Sequence, residues 1–188
     1  MVMVEQAVLG RRPVVRHQDE EGRPEYHQSE FVLNALHWHN LLRDKHGVPP
    51  LTLSYQVVSQ LCSLAQYWAN HLAHTNTFYH RNYRDIGENL FLKDTFGSDV
   101  TGEQVTKYWY NEIKWYNFYQ DPALLHVKAG HFTQLVWRNT TEFGVGKART
   151  RCGKLIIVAT YKPVGNVAGE FVENVLPPLS DLDLGEDN

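Results

Sequence analysis

Residues 130–140 read GHFTQLVWRNT. Wound as a helix, this stretch puts His131 on one face with Leu135, while Phe132, Val136 and Asn139 line a neighbouring face. An imidazole fixed that firmly among apolar side chains is either a satisfied core group or one arm of a site. Directly downstream the period changes from helical to two. Phe143, Val145 and Lys147 lead through a turn at Cys152-Gly153 into KLIIVATYKP (154–163), which is apolar on both faces. A strand covered by helices on each side has that composition. GENLFLKD (87–94) is a further candidate strand.

Upstream the pattern is helical. Ser29 is a good N-cap for EFVLNALHWHNLLRDKH, in which Phe31, Ala35, Trp38 and Leu42 recur at helical spacing, and Gly47 followed by VPPL closes it. A second helix is expected after the cap Ser54, with Val57, Val58, Leu61, Ala65, Trp68 and Leu72 on its buried face. A third opens with the capping box Thr101-Gly102-Glu103-Gln104 and carries Val105, Trp109 and Ile113 inward. Helices before and after strands imply an α/β protein, a three-layer α/β/α sandwich around a largely antiparallel sheet.

The chain of 188 residues is long enough for one domain with a real core. Residues 1–28 are polar, contain Pro13 and Pro24 and keep no period, so they read as an N-terminal tail; 180–188, SDLDLGEDN, reads as an acidic solvated tail. The domain is therefore placed at 29–179. A net charge of −3 gives no argument for a nucleic-acid partner. No apolar run approaches the ~20 residues that span a bilayer. The N-terminus lacks the pattern of a secretory signal, and Val2 stands where myristoylation would need glycine, so an intracellular location is expected, with an extracellular one as the alternative. Cys62 and Cys152 are expected as free thiols, a disulfide being the lesser alternative.

Two carboxylates stand where hydrocarbon belongs. Glu112 falls among Val105, Tyr108, Trp109, Ile113 and Tyr116 on the third helix, and Glu88 shares a strand face with Leu90 and Leu92. Burying an ionised carboxylate costs several kcal/mol unless a partner is present. For Glu112 the plain alternative is a side chain bordering the stripe and reaching water. Eight residues before Glu88, His80 ends the run TNTFYH. The pairs His37/His39 and His71/His74 are expected as ordinary surface residues, and the aromatics of YWYNEIKW (108–115) as packing groups that could also rim a lipid groove.

GHFTQLVWRNT (130–140), ATYKPVGNV (159–167), FYH followed by GENL, YNEIKWYNF and FVENVLPP together resemble the CAP superfamily of cysteine-rich secretory, antigen 5 and pathogenesis-related proteins. Within it the chain is most similar to the Golgi-associated plant pathogenesis-related branch, with Ala159 where secreted members carry a cysteine. The resemblance implies a cleft holding His80, Glu88, Glu112 and His131, with His80 and His131 able to hold a divalent metal, typically zinc, weakly. It implies a non-catalytic binding module for lipid, sterol or protein, with transient membrane contact and a homodimer among its expected associations. Metal-assisted hydrolysis and a purely structural polar tetrad are the alternatives.

Overall fold

The computed structural model describes residues 29–53, 61–122 and 128–180. The proposed start of the second helix at Ser54, with Val57 and Val58, lies outside the described residues, as do the tails 1–28 and 181–188.

Helix α1 (Glu30–Asp44) begins where Ser29 accepts the Val32 N–H at 3.4 Å. It buries Val32, Ala35, His39, Leu42 and Arg43, one stripe at helical spacing. The two-residue strand β1 (Thr52–Leu53) follows, and then α2 (Leu61–Thr75). Strand β2 spans Gly87–Asp94, and α3 spans Gly102–Tyr110 behind a complete capping box formed by Thr101 and Gln104. A 3-10 turn (Asn111–Trp115), α4 (Gly130–Leu135), the hairpin of β3 (Glu142–Arg149) and β4 (Lys154–Lys162), and the short α5 (Phe171–Asn174) complete the described elements.

Among the described residues one four-stranded sheet has the order β1-β3-β4-β2. The β2–β4 and β3–β4 pairs are antiparallel and β1 pairs parallel to β3. The sheet is largely antiparallel, as expected, and mixed only through β1, an edge strand too short to show alternation. Layering follows from β4, where all residues from Leu155 to Tyr161 are buried. Leu155, Ile157, Ala159 and Tyr161 join one core with α1, α3 and α4, whereas Ile156 and Val158 join a second core with Ala65, Trp68, Ala69 and Leu72 of α2. The period of two thus divides one strand between two helical layers. On the α2 side β3 carries glycine twice. A Cβ on Gly144 would stand 2.2 Å from the Leu61 carbonyl carbon, and one on Gly146 would stand 2.3 Å from the Gln66 nitrogen. Backbone meets backbone there, and only glycine admits the contact.

Several expectations need correction. His39 is fully buried instead of lying at the surface. Its Nδ1 meets the Ala35 carbonyl at 2.8 Å and its Nε2 the Tyr161 hydroxyl at 2.9 Å. Burial pushes its pKa from 6.5 down to about 3, so it is neutral. His71 and His74 are half-buried, and the His71 ring stacks on Trp68 with centroids 4.6 Å apart; His37 alone of the four is exposed. The third helix ends as an α-helix at Tyr110, which places Glu112 and Ile113 on the tighter 3-10 turn. Tyr108, expected on the inner stripe, is 61% exposed. Both thiols are free, as expected, Cys62 buried and Cys152 exposed.

Candidate functional site

The four sequence-selected residues line one cavity of about 460 Å³ at the Gly87 end of β2. They arrive as two pairs from opposite sides of the sheet. His80 Nδ1 lies 2.8 Å from Glu88 Oε1, and the Arg81 N–H donates to the same oxygen at 3.2 Å. His131 Nδ1 lies 2.7 Å from Glu112 Oε1, while Glu112 Oε2 accepts from the backbone N–H groups of His131 and Phe132 at 3.0 and 3.3 Å. Glu112 thus meets the first turn of α4 with three donors, which accounts for its position within an aromatic setting. Its side chain is 13% exposed and that of Glu88 8%, against 33% for His131 and 54% for His80.

A carboxylate at hydrogen-bond distance accepts, so each Nδ1 carries a proton; in the neutral tautomer that this pairing selects, Nε2 keeps its lone pair. The far oxygen of Glu88, Oε2, is buried without a hydrogen-bond partner among the described residues. Among those residues no group of three or more His, Cys, Asp or Glu side chains is arranged to hold a metal ion. Of the four cleft residues, His80 and His131 are the two whose second ring nitrogen is not engaged by a carboxylate.

The floor and rim come from residues the motif reading passed over. Asn89 donates from Nδ2 to the His131 carbonyl at 3.1 Å and to the Tyr161 hydroxyl at 3.2 Å. Tyr161 in turn meets His39, so a buried polar chain runs from α1 to the residue that enters the cleft. Gln134 accepts from the Gly165 N–H at 3.0 Å, and a Cβ on Gly87 would stand 2.0 Å from its Oε1. Asn166 is held to α4 by Thr133 at 2.6 Å and by the Gly130 carbonyl at 2.9 Å. One signal existed in the sequence: Asn89 adjoins Glu88, and Gln134 lies within the same GHFTQLVW stretch as His131.

Arg43 is a further unforeseen element. Fully buried, it donates to the carbonyls of Pro49, Leu135, Trp137 and Thr140 at 2.8–3.0 Å; the last three lie at or just beyond the end of α4, and the Trp137 carbonyl also accepts from the Thr140 N–H at 3.2 Å. Burial lowers its pKa to about 10. A larger hollow of about 640 Å³ lies at the N-termini of α1 and α3, lined in part by Glu30, Asp99, Glu103 and Lys147. It contains none of the four cleft residues, and its Lys147 is paired with Asp99 at 2.7 Å.

A cleft edged by two His–Glu pairs, at the end of a sheet sandwiched between helices, defines a CAP domain, and the chain belongs to that family: residues 36–161 match the model described as CAP, cysteine-rich secretory protein family. Golgi-associated plant pathogenesis-related protein 1 of Homo sapiens is 43% identical over 154 residues, covering 79% of this chain and 94% of its own. Pathogenesis-related leaf protein 4 of Solanum lycopersicum is 36% identical over 132 residues, covering 70% and 77%. Among solved structures, NaASP2 with Zn2+ matches with a TM-score of 0.60 at 22% identity, over 83% of this chain and 90% of that one, a likeness of fold alone. BmVAL-1 matches with a TM-score of 0.58 at 26% identity, over 83% and 84%.

Proposed function

We propose that this CAP domain is a non-catalytic binding module whose cleft holds a divalent metal, zinc foremost, weakly between His80 and His131. The observation that carries this reading is the pairing of each Nδ1 with a carboxylate, which leaves two Nε2 lone pairs on residues of one cavity. Glu88 and Glu112 act on the metal through the rings: each fixes a tautomer and raises the basicity of the nitrogen opposite. Bound there, the ion would supply a Lewis-acidic, water-bearing centre to a ligand's oxygen.

The larger ligand of the module is a lipid, a sterol or a protein partner. Tyr108, Trp115 and Tyr119 support this, at 61%, 58% and 92% exposure in and beyond the aromatic segment that also carries Glu112. Membrane contact is transient in this reading; no helix among the described residues is long and apolar enough to cross a membrane. The name of the human relative favours a Golgi-associated intracellular setting, and a homodimer across the cleft face belongs to the same proposal.

Zinc titration by calorimetry tests the metal reading. One weak site is expected in the native protein and none after His80→Gln or His131→Gln. Heat unchanged in both variants, or no heat in the native protein, would overturn it and leave the tetrad as a structural network.

A further inference from the structure

His80 lies on a stretch, residues 77–86, that has no regular secondary structure, yet a two-histidine metal site needs its imidazole fixed. Backbone bonds within the stretch do not accomplish this. The residue after it does something unusual. The guanidinium carbon of Arg81 lies 4.9 Å from the ring centre of Tyr67, 5.5 Å from that of Trp68 and 4.6 Å from that of Tyr83. Two of those rings stand on α2 and the third follows on the loop itself. Arg81 Nη1 is buried and has no hydrogen-bond partner among the described residues. An arginine serving only solubility would turn that nitrogen to water, so the surrounding π faces hold it against a desolvation cost.

The main chain of Arg81 is committed as well. Its N–H donates to Glu88 Oε1, the oxygen that His80 Nδ1 meets. Tyr79, on the other side of His80, is tied to the same helix. Its carbonyl accepts from Trp68 Nε1 at 3.2 Å and its hydroxyl lies 3.1 Å from His71 Nε2. The His80 backbone is therefore gripped on both flanks by one aromatic surface of α2, and one of the grips is a cation.

We infer that Arg81 is a positioning residue for the cleft: its guanidinium, caged by Tyr67, Trp68 and Tyr83, holds the His80 imidazole on Glu88 and so sets the metal affinity of that arm. Without the cation the loop would keep its sequence but lose one of the two side-chain anchors flanking His80, the one whose backbone N–H shares Glu88 Oε1, and the ring would sample both tautomers away from Glu88. His131 is fixed by a different helix and a different acid, and serves as an internal control.

This inference rests on His80 being a metal arm, but its first readout does not require metal. Imidazole nitrogen spectra of the metal-free protein report the tautomer of each ring. Native His80 is expected as the Nδ1–H form. In Arg81→Met, which keeps the length of the stem but removes the charge, His80 is expected to shift to a mixture of tautomers while His131 stays unchanged; Arg81→Lys is expected to restore much of the native signal. Zinc affinity is expected to fall about 10-fold or more in Arg81→Met. Tyr67→Leu, at a half-exposed wall of the cage, repeats the test should the first variant fail to fold. An unchanged His80 tautomer in variants that merely melt earlier would overturn the inference. A native protein that binds no zinc but shows the His80-specific shift would sink the metal reading and leave the clamp standing.

Discussion

Acid stability offers the sharpest test of the buried polar chain beneath the cleft. His39 is enclosed on all sides, and each bond it makes suits the neutral ring: Nδ1 donates to the Ala35 carbonyl, and Nε2 accepts from the Tyr161 hydroxyl. Thr106 Oγ1 stands 3.1 Å from Nδ1, and the Arg43 charge one turn on adds to the pressure against a proton. Desolvation is the largest cause, and it brings the pKa from 6.5 to about 3. The unfolded chain takes up a proton at this residue as pH falls through about 6.5, whereas the folded chain refuses it down to about 3. The contribution of His39 is therefore complete above pH 6.5 and is lost progressively below it. The slope approaches its maximum of about 1.4 kcal/mol per pH unit only below pH 6.5, so about 1.6 kcal/mol disappears between pH 6.5 and 5.0, and about 2 kcal/mol between pH 7.5 and 5.0, from this residue alone. Urea unfolding at pH 7.5, 6.5, 5.5 and 5.0, on the native protein and on His39→Gln, isolates it. Other titrating groups, such as His46, whose pKa burial also lowers, act in both proteins and cancel in the comparison. The stability gap between the two proteins is expected to narrow by about 2 kcal/mol over that range. A gap constant to within a few tenths would refute the assignment of a buried neutral imidazole.

Glu112→Gln keeps the shape but supplies one acceptor oxygen where three donors converge, so zinc affinity is expected to fall about 10- to 100-fold by calorimetry while Glu103→Gln leaves it unchanged. Arg43→Met removes four hydrogen bonds, leaving the Trp137 carbonyl only its bond from the Thr140 N–H, and is expected to cost about 3–5 kcal/mol, seen as a melting temperature lower by about 10 °C or more. Gly146→Ala forces α2 away from β3 and is expected to cost about 1–3 kcal/mol in urea unfolding, whereas Gly153→Ala at the hairpin meets no neighbouring atom and tests backbone strain alone. Alkylation at pH 8 followed by mass mapping is expected to label Cys152, exposed and with its thiol pKa lowered by the Thr150 hydroxyl, and to spare Cys62, whose thiol burial raises to about 11.

The sequence alone determined what local periodicity and apolar excess can encode. Ala35 and Leu42 on the buried stripe of α1, the capping box of α3, the two-faced burial of β4 and the turn at Cys152-Gly153 all follow from neighbours a few residues apart, where steric and solvation preferences act directly; Phe31 and Trp38, expected on the same stripe, are only half-buried. The two misplaced acids were visible for the same reason, since a carboxylate in an apolar pattern demands a partner wherever the partner lies. Which imidazole meets which acid was not visible from periodicity; the family resemblance named the four positions, and tertiary structure paired His80 with Glu88 and His131 with Glu112.

Only the fold could decide the rest. His39 and Arg43 look like ordinary polar residues of a long helix. They are core groups because Tyr161 and the carbonyls at the end of α4 stand opposite them, 92 to 122 residues away in the chain. The parallel edge strand at Thr52–Leu53 is two residues long, too short for alternation to register and defined only by its pairing with Glu142 and Phe143. The cage around Arg81 depends on an irregular loop folding back on α2. Hydrogen bonds and π contacts of this kind carry no period, because their partners are set by the packing of whole layers and not by spacing along the chain.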